Sequence, residues 1–430
     1  MKIGIVKEIK NNENRVGATP SGVKEYVKNG HTVLVETNAG INSGFTDADY
    51  VKAGAKIVKT PKEAWNVDMV IKVKEPLKQE YEYMKKQPNE TALMLYTYLH
   101  LAANKELTQA LLDNKVTGIA YETMVRDGRL PLLAPMSRVA GRRAVIVAAT
   151  ALEKHKGGLG MLPGGVEGTE KGLFVVVGGG VAGYNAAATA MGLGTNVEIF
   201  EANPNRIEQL KADKTLNKLA EVFGSTIKII KSEPKALMKS MENADAVIST
   251  ILIPGALAKK VITEAMVKKM RKGSVIVDIA IDQGGSVETI DHATTHDNPT
   301  FEKFGVLHYS VANMPGATPR TSTAALEAAT LEYGLKLANQ GIQSALDNNT
   351  ILTGINTIYG YLTDKAVWEA FKKDYKLEDA RAIIVSTTTS TQKDTTAEKK
   401  PVKKTSKKPA SKKPTKKTNK KPVSKKKTKK

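Results

Sequence analysis

The stretch Gly172–Asn203, GLFVVVGGGVAGYNAAATAMGLGTNVEIFEAN, decides the fold. Leu173–Val177 is a short apolar run that reads as a buried strand. It breaks at the glycine-rich segment Gly178–Gly183 and resumes as an Ala-rich helix over Tyr184–Leu193. A second run, Asn196–Phe200, ends at Glu201. The order is strand, glycine turn, helix, strand, acid. Gly178 permits a tight turn, Gly180 lets a pyrophosphate approach the backbone, and Gly183 lets helix and strand pack closely. Val181 and Ala182, between the glycines, are candidate cofactor contacts, and the N-terminus of the helix that follows offers N–H groups and the positive end of its dipole to phosphates. Glu201 lies 18 residues after Gly183, near the spacing of an acid that accepts hydrogen bonds from both ribose hydroxyls. A 2′-phosphate would meet its negative charge, so the pattern predicts NAD rather than NADP. A glycine motif alone is weak evidence, since glycine also serves packing in plain turns. Here the strand before, the helix after, the second strand and the terminal acid all agree on a dinucleotide site.

Strand and helix signals alternate on both sides of this unit. Lys2–Val6, His31–Glu36 and Lys56–Val58 read as strands, with helices starting at Thr19-Pro20-Ser21-Gly22 and spanning Asp47–Ala55. Such alternation predicts a parallel sheet covered by helices. Asp68–Lys72 is a further strand with Lys74 just beyond its end, and Thr91–Leu99 runs directly into His100. Ligands of open α/β sheets bind beyond the C-terminal strand ends, which makes Lys74 and His100 candidates. Arg15 follows the polar loop Asn11–Asn14; it reads equally as a solvated cation and as a fork for a carboxylate. Val116–Glu122 repeats the strand pattern, and Met136–His155 has the spacing of a helix joining two domains.

After Glu201 come an amphipathic stretch, Asn205–Val222, and strands at Thr226–Ile230, Ala246–Ile248, Ser274–Ala280 and Val306–Ser310, with Asp282 just past the third. Thr323–Asn339 is helical, and Leu346–Tyr375 reads as mostly helical and folding back onto the first domain. The expected fold class is α/β with two domains. A Rossmann-type doubly wound dinucleotide-binding domain (140–308) is inserted in a second α/β domain made of 1–139 and 309–385.

At 430 residues, about 150 per domain gives two or three domains. There is no cysteine, hence no disulfide, thiolate metal site or cysteine nucleophile, and no metal site is expected. The N-terminus lacks an apolar signal region, and no apolar run approaches the ~20 residues that span a bilayer. A soluble, cytoplasmic protein without membrane insertion is expected. The net charge of +21 belongs largely to the C-terminus: residues 391–430 hold 18 Lys against Asp394 and Glu398, leaving +5 for 1–390. Without aromatics and nearly without apolar side chains, 386–430 is expected to be a disordered tail. Its charge suits non-specific binding of nucleic acid or an anionic surface by counterion release, a plain solubilising extension being the simpler reading.

Over roughly residues 1–380 the chain resembles alanine dehydrogenase. The matching motifs are KEIKNNENRV (Lys7–Val16), KVKEPL (Lys72–Leu77), TYLHLA (Thr97–Ala102), YET (Tyr121–Thr123), LPLLAPMS (Leu130–Ser137) and VAG (Val139–Gly141), then IPGA (253–256), VDIAIDQGG (Val277–Gly285) and VANMPG (Val311–Gly316). The resemblance implies a homohexamer that interconverts L-alanine with pyruvate and ammonium using NAD. It implies that Arg15 and Lys74 bind the substrate carboxylate and carbonyl oxygen, and that His100 and Asp282 form the acid/base pair. Ser137 would contact the cofactor, Glu201 its adenosine ribose, and Arg206 and Ser232 the adenosine end. Ile251, Leu252, Ile279, Ala280, Ile281, Asp282, Val311, Ala312, Asn313 and Met314 would line the nicotinamide side. Glu201 stands where the family usually has Asp, and Arg138 where it has an acid. The segment after Arg206 is longer, and Asp291-His292-Ala293 lacks the family's arginine. The alternative is the NAD-binding subunit of proton-translocating transhydrogenase, against which Lys74 and His100 weigh; saccharopine dehydrogenase is a more distant relative.

Overall fold

The structure, a computed structural model, describes residues 1–85, 92–251, 259–372 and 374–387. Its strands are β1 (Lys2–Ile5), β2 (Thr32–Glu36), β3 (Lys56–Val58), β4 (Met69–Ile71), β5 (Met94–Thr97), β6 (Thr117–Ala120), β7 (Leu173–Val177) and β8 (Asn196–Glu201). They continue with β9 (Ile227–Lys231), β10 (Ala246–Ser249), β11 (Val275–Asp278), β12 (Thr300–Lys303), β13 (Val306–Tyr309), β14 (Ile355–Ile358) and β15 (Tyr361–Leu362). Two sheets result, in the orders β15-β14-β6-β5-β4-β1-β2-β3 and β12-β13-β11-β10-β7-β8-β9. All pairings are parallel except β14 with β6 and β15, and β12 with β13. This is the two-domain α/β fold that the alternating pattern predicts.

Both sheets carry the doubly wound order, with the chain reversing its direction of travel beside the first strand of each. The crevices therefore open between β1 and β4 and between β7 and β10. The loops at those points are the ones that carry Arg15 and Lys74, and the glycine turn and Thr250. The central strands β4, β5, β6, β10 and β11 are buried on both faces, as parallel strands flanked by helices must be, while the edge strands β3, β9 and β12 are partly exposed. Phe174 and Val176 of β7 face one apolar cluster, and Val175 and Val177 face another. Ile3, Met69 and Tyr96 divide from Val70 and Leu95 in the same way in the first sheet.

Two sequence expectations, on Leu346–Tyr375 and on the start of the glycine-loop helix, need correction, and the amphipathic stretch Asn205–Val222 resolves into parts. Leu346–Tyr375 is not mostly helical: short helices at Ser344–Asp347, Asn349–Gly354 and Lys365–Phe371 flank the hairpin β14–β15. The fully buried run INTI of β14 covers the bare edge of β6, and four residues, two of them polar, are too few to show a period that separates strand from helix. The segment does fold back onto the first sheet. Asn205–Val222 is two helices, Pro204–Lys211 and Lys214–Phe223, divided where the Asp213 side chain accepts from Thr215 and Leu216 N–H and caps the second. The glycine-loop helix spans Val181–Gly192, three residues earlier than Tyr184, so its first N–H groups stand directly at the turn.

The connecting helix spans Ala134–Ala151. It crosses the glycine-loop helix at Gly141, where an added Cβ would stand 2.1 Å from the Ala182 carbonyl oxygen. A Cβ is fixed by its own backbone and the carbonyl oxygen is backbone, so neither can rotate away. Gly141→Ala is expected to push the two helices apart and move the start of the glycine-loop helix. A thermal-melt shift of several degrees downward together with weaker NADH binding is the expected result.

Candidate active site

The loop after β1 returns Arg15 to the first crevice. Arg15 is 2% exposed, so it is not a solvated loop cation. Its Nε and Nη2 donate to the two carboxylate oxygens of Glu13 at 2.7 and 2.5 Å, and Nη2 also donates to Asn313 Oδ1 at 3.0 Å. Nη1 approaches Met136 Sδ at 2.9 Å. Burial works against the charge of Glu13, but the Arg15 guanidinium beside it, with a smaller contribution from Lys74, holds its carboxyl below the ordinary value.

Beyond β4, Lys72 is fully buried between Glu8 (3.2 Å) and Glu80 (2.9 Å). Glu8 also accepts the Val73 N–H at 2.6 Å and the Lys74 N–H at 3.4 Å, which fixes the backbone that presents Lys74. Burial pushes the Glu8 carboxyl up, with Lys72 opposing it. Lys74 is itself buried. Among the described residues no hydrogen bond or ion pair holds its ammonium. A buried ammonium without a carboxylate partner is suited to an anionic or carbonyl oxygen brought by a ligand.

His100 has φ +50°, a left-handed conformation that a non-glycine residue adopts at a cost. Its backbone N–H is held by Glu122 Oε1 at 2.6 Å, and its Nδ1 lies 3.1 Å from Glu75 Oε2. The other Glu75 oxygen takes the Lys10 ammonium.

The second sheet supplies Asp282 and Asn313. The buried carboxylate of Asp278, at the end of β11, accepts the N–H groups of Ala280 (2.9 Å) and Ser286 (2.7 Å). Those bonds close Ile279–Gln283 into a 3-10 turn that carries Asp282 to the surface. Asn313, beyond β13 and also left-handed at φ +54°, donates its N–H to both Asp282 oxygens at 3.2 and 3.1 Å. Its side chain accepts from Arg15 and donates to Glu13 at 2.9 Å. One residue therefore ties the Asp282 turn of the second sheet to the Arg15–Glu13 pair of the first. Asp282, Asn313, Arg15 and Glu13 are linked by hydrogen bonds. Lys74 bears electrostatically on both Glu13 and Glu75, and Glu75 holds His100.

The glycine turn fits a dinucleotide. Gly178 has φ +101°, and a Cβ at Gly183 would lie 1.8 Å from the Gly178 carbonyl oxygen. A Cβ at Gly180 would meet nothing within 4 Å, which leaves that side of the turn open. No side chain caps the helix that starts at Val181, so the N–H groups of Val181 and Ala182 have no side-chain acceptor there. Thr250 Oγ1 donates to the Val177 and Gly178 carbonyls at 3.0 Å each and pins the turn to β10. Glu201 accepts from Gly179 N–H with one oxygen and from Ala202 and Asn203 N–H with the other, all at 2.8 Å. Arg206 Nε donates to the Gly179 carbonyl at 2.8 Å, and Ser232 N–H donates to the Glu201 carbonyl at 2.9 Å. Glu201 and Arg206 thus meet at Gly179, and Ser232 is tied to the backbone of Glu201.

Ser137 lies in the first turn of the connecting helix, beside Met136, and bonds its own helix at the Leu133 carbonyl. Ile279, Ala280 and Ile281 share the turn of Asp282; Val311 and Met314 are buried, and Ala312 is half-buried between them. Ile251 ends the described segment after Thr250, while Leu252 and the IPGA motif lie outside the described residues. Arg138 is exposed on the second turn of the connecting helix. Sequence reasoning assigns no role to Glu13, Glu75 or Glu122. The signal for the first two is an acid within two residues of a candidate cation, in ENRV and KVKEPL respectively.

A model of the alanine dehydrogenase/PNT N-terminal domain matches residues 4–140, and one of the C-terminal domain matches residues 144–365. Alanine dehydrogenase 2 of Staphylococcus aureus is 54% identical over 378 residues, covering 87% of this chain and 98% of its own. Alanine dehydrogenase of Staphylococcus epidermidis is 54% identical over 383 residues, covering 88% and 100%. Among solved structures, an L-alanine dehydrogenase superposes with a TM-score of 0.80 at 46% identity, over 87% of this chain and 99% of its own. A transhydrogenase from Sinorhizobium meliloti follows at 0.72 and 25% identity, over 84% and 100%.

Proposed function

The chain belongs to the alanine dehydrogenase/PNT family, and from that premise we propose that it catalyses the reversible, NAD-dependent oxidative deamination of L-alanine to pyruvate and ammonium. The observation that supports this reading is the chain of bonds from Asp282 through Asn313 to Arg15 and Glu13, with Lys74 acting electrostatically on Glu13 and on the Glu75 that bonds His100. The glycine turn and Glu201 would hold NAD, whose nicotinamide would supply the acceptor for the hydride on Cα of alanine. The protein supplies the rest. Arg15 and the buried ammonium of Lys74 hold the substrate carboxylate, and Lys74 polarises the carbonyl oxygen of pyruvate in the reverse direction. Loss of hydride leaves an iminium carbon that water attacks, so one proton must be taken from oxygen and another delivered to nitrogen. His100 and Asp282, one on each side of the crevice, are the groups for these transfers.

Glu201 is the residue that selects NAD. Three N–H groups hold its carboxylate, fixing it as an acceptor for ribose hydroxyls and as a charge that a 2′-phosphate would meet. Glu201→Gln is expected to narrow the ratio of kcat/KM for NAD over NADP by about tenfold, the worth of one charge-assisted hydrogen bond. An unchanged ratio would remove Glu201 from the selection. On the same premise the enzyme is a cytoplasmic homohexamer, and the Lys-rich 386–430 is an extension with non-specific affinity for polyanions.

The test is the absorbance of NADH in purified protein given L-alanine and NAD at alkaline pH, with NADP in parallel. NADH formation with NAD alone is the expected result. NADH binding without turnover would move the reading to a dinucleotide-binding subunit of the transhydrogenase kind.

A further inference from the structure

The loop after β4 presents two charged neighbours, Lys74 and Glu75, and the reaction above uses only the first. Glu75 is nearly buried, with 11% of its side chain exposed, and its two oxygens serve different donors. One takes the ammonium of Lys10, from the loop after β1. The other takes His100 Nδ1 at 3.1 Å, from the loop after β5. An ionised carboxylate can only accept, so this contact requires the imidazole proton on Nδ1. Burial opposes the charge on Glu75, but the hydrogen bond and charge of His100, with Lys74 and Lys10, hold its carboxyl well below the usual range. Glu75 is therefore ionised wherever a histidine titrates. His100 Nε2 has no hydrogen-bond partner among the described residues, and 38% of the side chain is exposed. The backbone of His100 is fixed separately, through Glu122.

We propose that Glu75 is the positioning residue of His100: it orients the ring and holds the proton on Nδ1, which makes Nε2 the atom that exchanges a proton with substrate water, while Lys10 offsets its charge. This rests on the function proposed above and adds a three-member relay, Lys10–Glu75–His100, to it. In the deamination direction Nε2 takes the proton of the attacking water as its oxygen bonds to the iminium carbon, giving an imidazolium whose Nδ1–H stays on Glu75. The proton leaves to solvent from Nε2 after product release, so Glu75 is never protonated. The groups that face the pair are Lys10, Lys74, Glu122, the phenol of Tyr98 with its ring 6.0 Å from the imidazole, and Tyr81 at Glu75. Lys10 touches Glu75 directly and carries the opposite charge, so removal of the Lys10 ammonium and of the Glu75 carboxylate should act in opposite senses.

The experiment measures the rate of diethylpyrocarbonate modification at His100, located by peptide mass mapping, across pH in wild type, Glu75→Gln and Lys10→Met. Glutamine keeps the shape and an acceptor oxygen, so the fold is kept and only charge is lost. The midpoint should fall by about one pH unit in Glu75→Gln, as loss of a close opposite charge predicts, and rise in Lys10→Met. The rising limb of kcat/KM for L-alanine should move in the same two senses, with unchanged NADH affinity. Glu75→Asp, which keeps the charge, should restore most of the midpoint. Midpoints that stay in place, or that move in the same direction in both variants, overturn the proposal. A wild type without turnover would defeat the proposed function instead, while the modification midpoints still decide the relay.

Discussion

His100→Ala is expected to lower kcat for L-alanine oxidation by about 10²–10⁴-fold, the usual worth of a positioned acid/base, and to leave NADH affinity unchanged. His100 follows β5 of the first sheet, whereas the glycine turn and Glu201 that would hold the dinucleotide belong to the second sheet. Alanine at this position has a second cost, because the backbone is left-handed at φ +50°. Such strain costs on the order of 1–3 kcal/mol, and alanine has no local hydrogen bond to offset it. His100→Asn separates the two effects. Asparagine tolerates the left-handed region better than alanine but offers no base. A folded, NADH-binding and inactive Asn variant assigns the loss to proton transfer. Equal losses of turnover and NADH binding in both variants would give His100 a structural role only.

Arg15→Ala should be the most disruptive single change in the crevice. The guanidinium and Glu13 are a buried bidentate pair, and truncating one partner strands the other. Breaking a buried pair in this way costs about 3–5 kcal/mol. Asn313 would lose one of its three side-chain bonds to the loop after β1, and with it part of the hold on Asp282. The expected result is a lowered melting temperature together with a fall in kcat/KM for pyruvate of about 10²-fold or more, equivalent to ~3 kcal/mol. The double change Glu13→Gln/Arg15→Ala removes the stranded charge. It should recover much of the melting temperature and none of the pyruvate efficiency. Recovery of both would mean that Arg15 acts through stability alone. Arg15→Lys should be poor as well, since an ammonium cannot replace two parallel N–H donors.

How much of this is legible in the sequence follows from how local each signal is. The dinucleotide unit lies within 32 contiguous residues, Gly172–Asn203, and its glycines and acid keep their roles when the chain is read alone. Lys74, His100 and Asp282 are visible because each ends a strand, and strand ends are where open sheets bind. Arg15 is ambiguous for the opposite reason. Its neutralising partner is two residues away, but its second partner, Asn313, is 298 residues distant, and only the fold brings them together. The hairpin β14–β15 reads as helix because its pairing edge, β6, lies far upstream; Thr357 bonds the Gly118 N–H across 239 residues. The strand order of the first sheet is equally hidden. Alternation predicts parallel strands but not that the chain reverses beside β1, which is what brings Arg15 next to Lys74. The break at Asp213 is a local capping signal that the amphipathic pattern around it masks.

The central claim is that one crevice passes the Cα hydrogen of L-alanine to NAD while its own side chains move the protons. The most direct measurement is mass spectrometry of the products after turnover of L-alanine deuterated at C2, with NAD, in ordinary water. Singly deuterated NADH, undeuterated pyruvate and ammonium in equal amounts are predicted. NADH without deuterium, or deuterium released to solvent, would contradict the account.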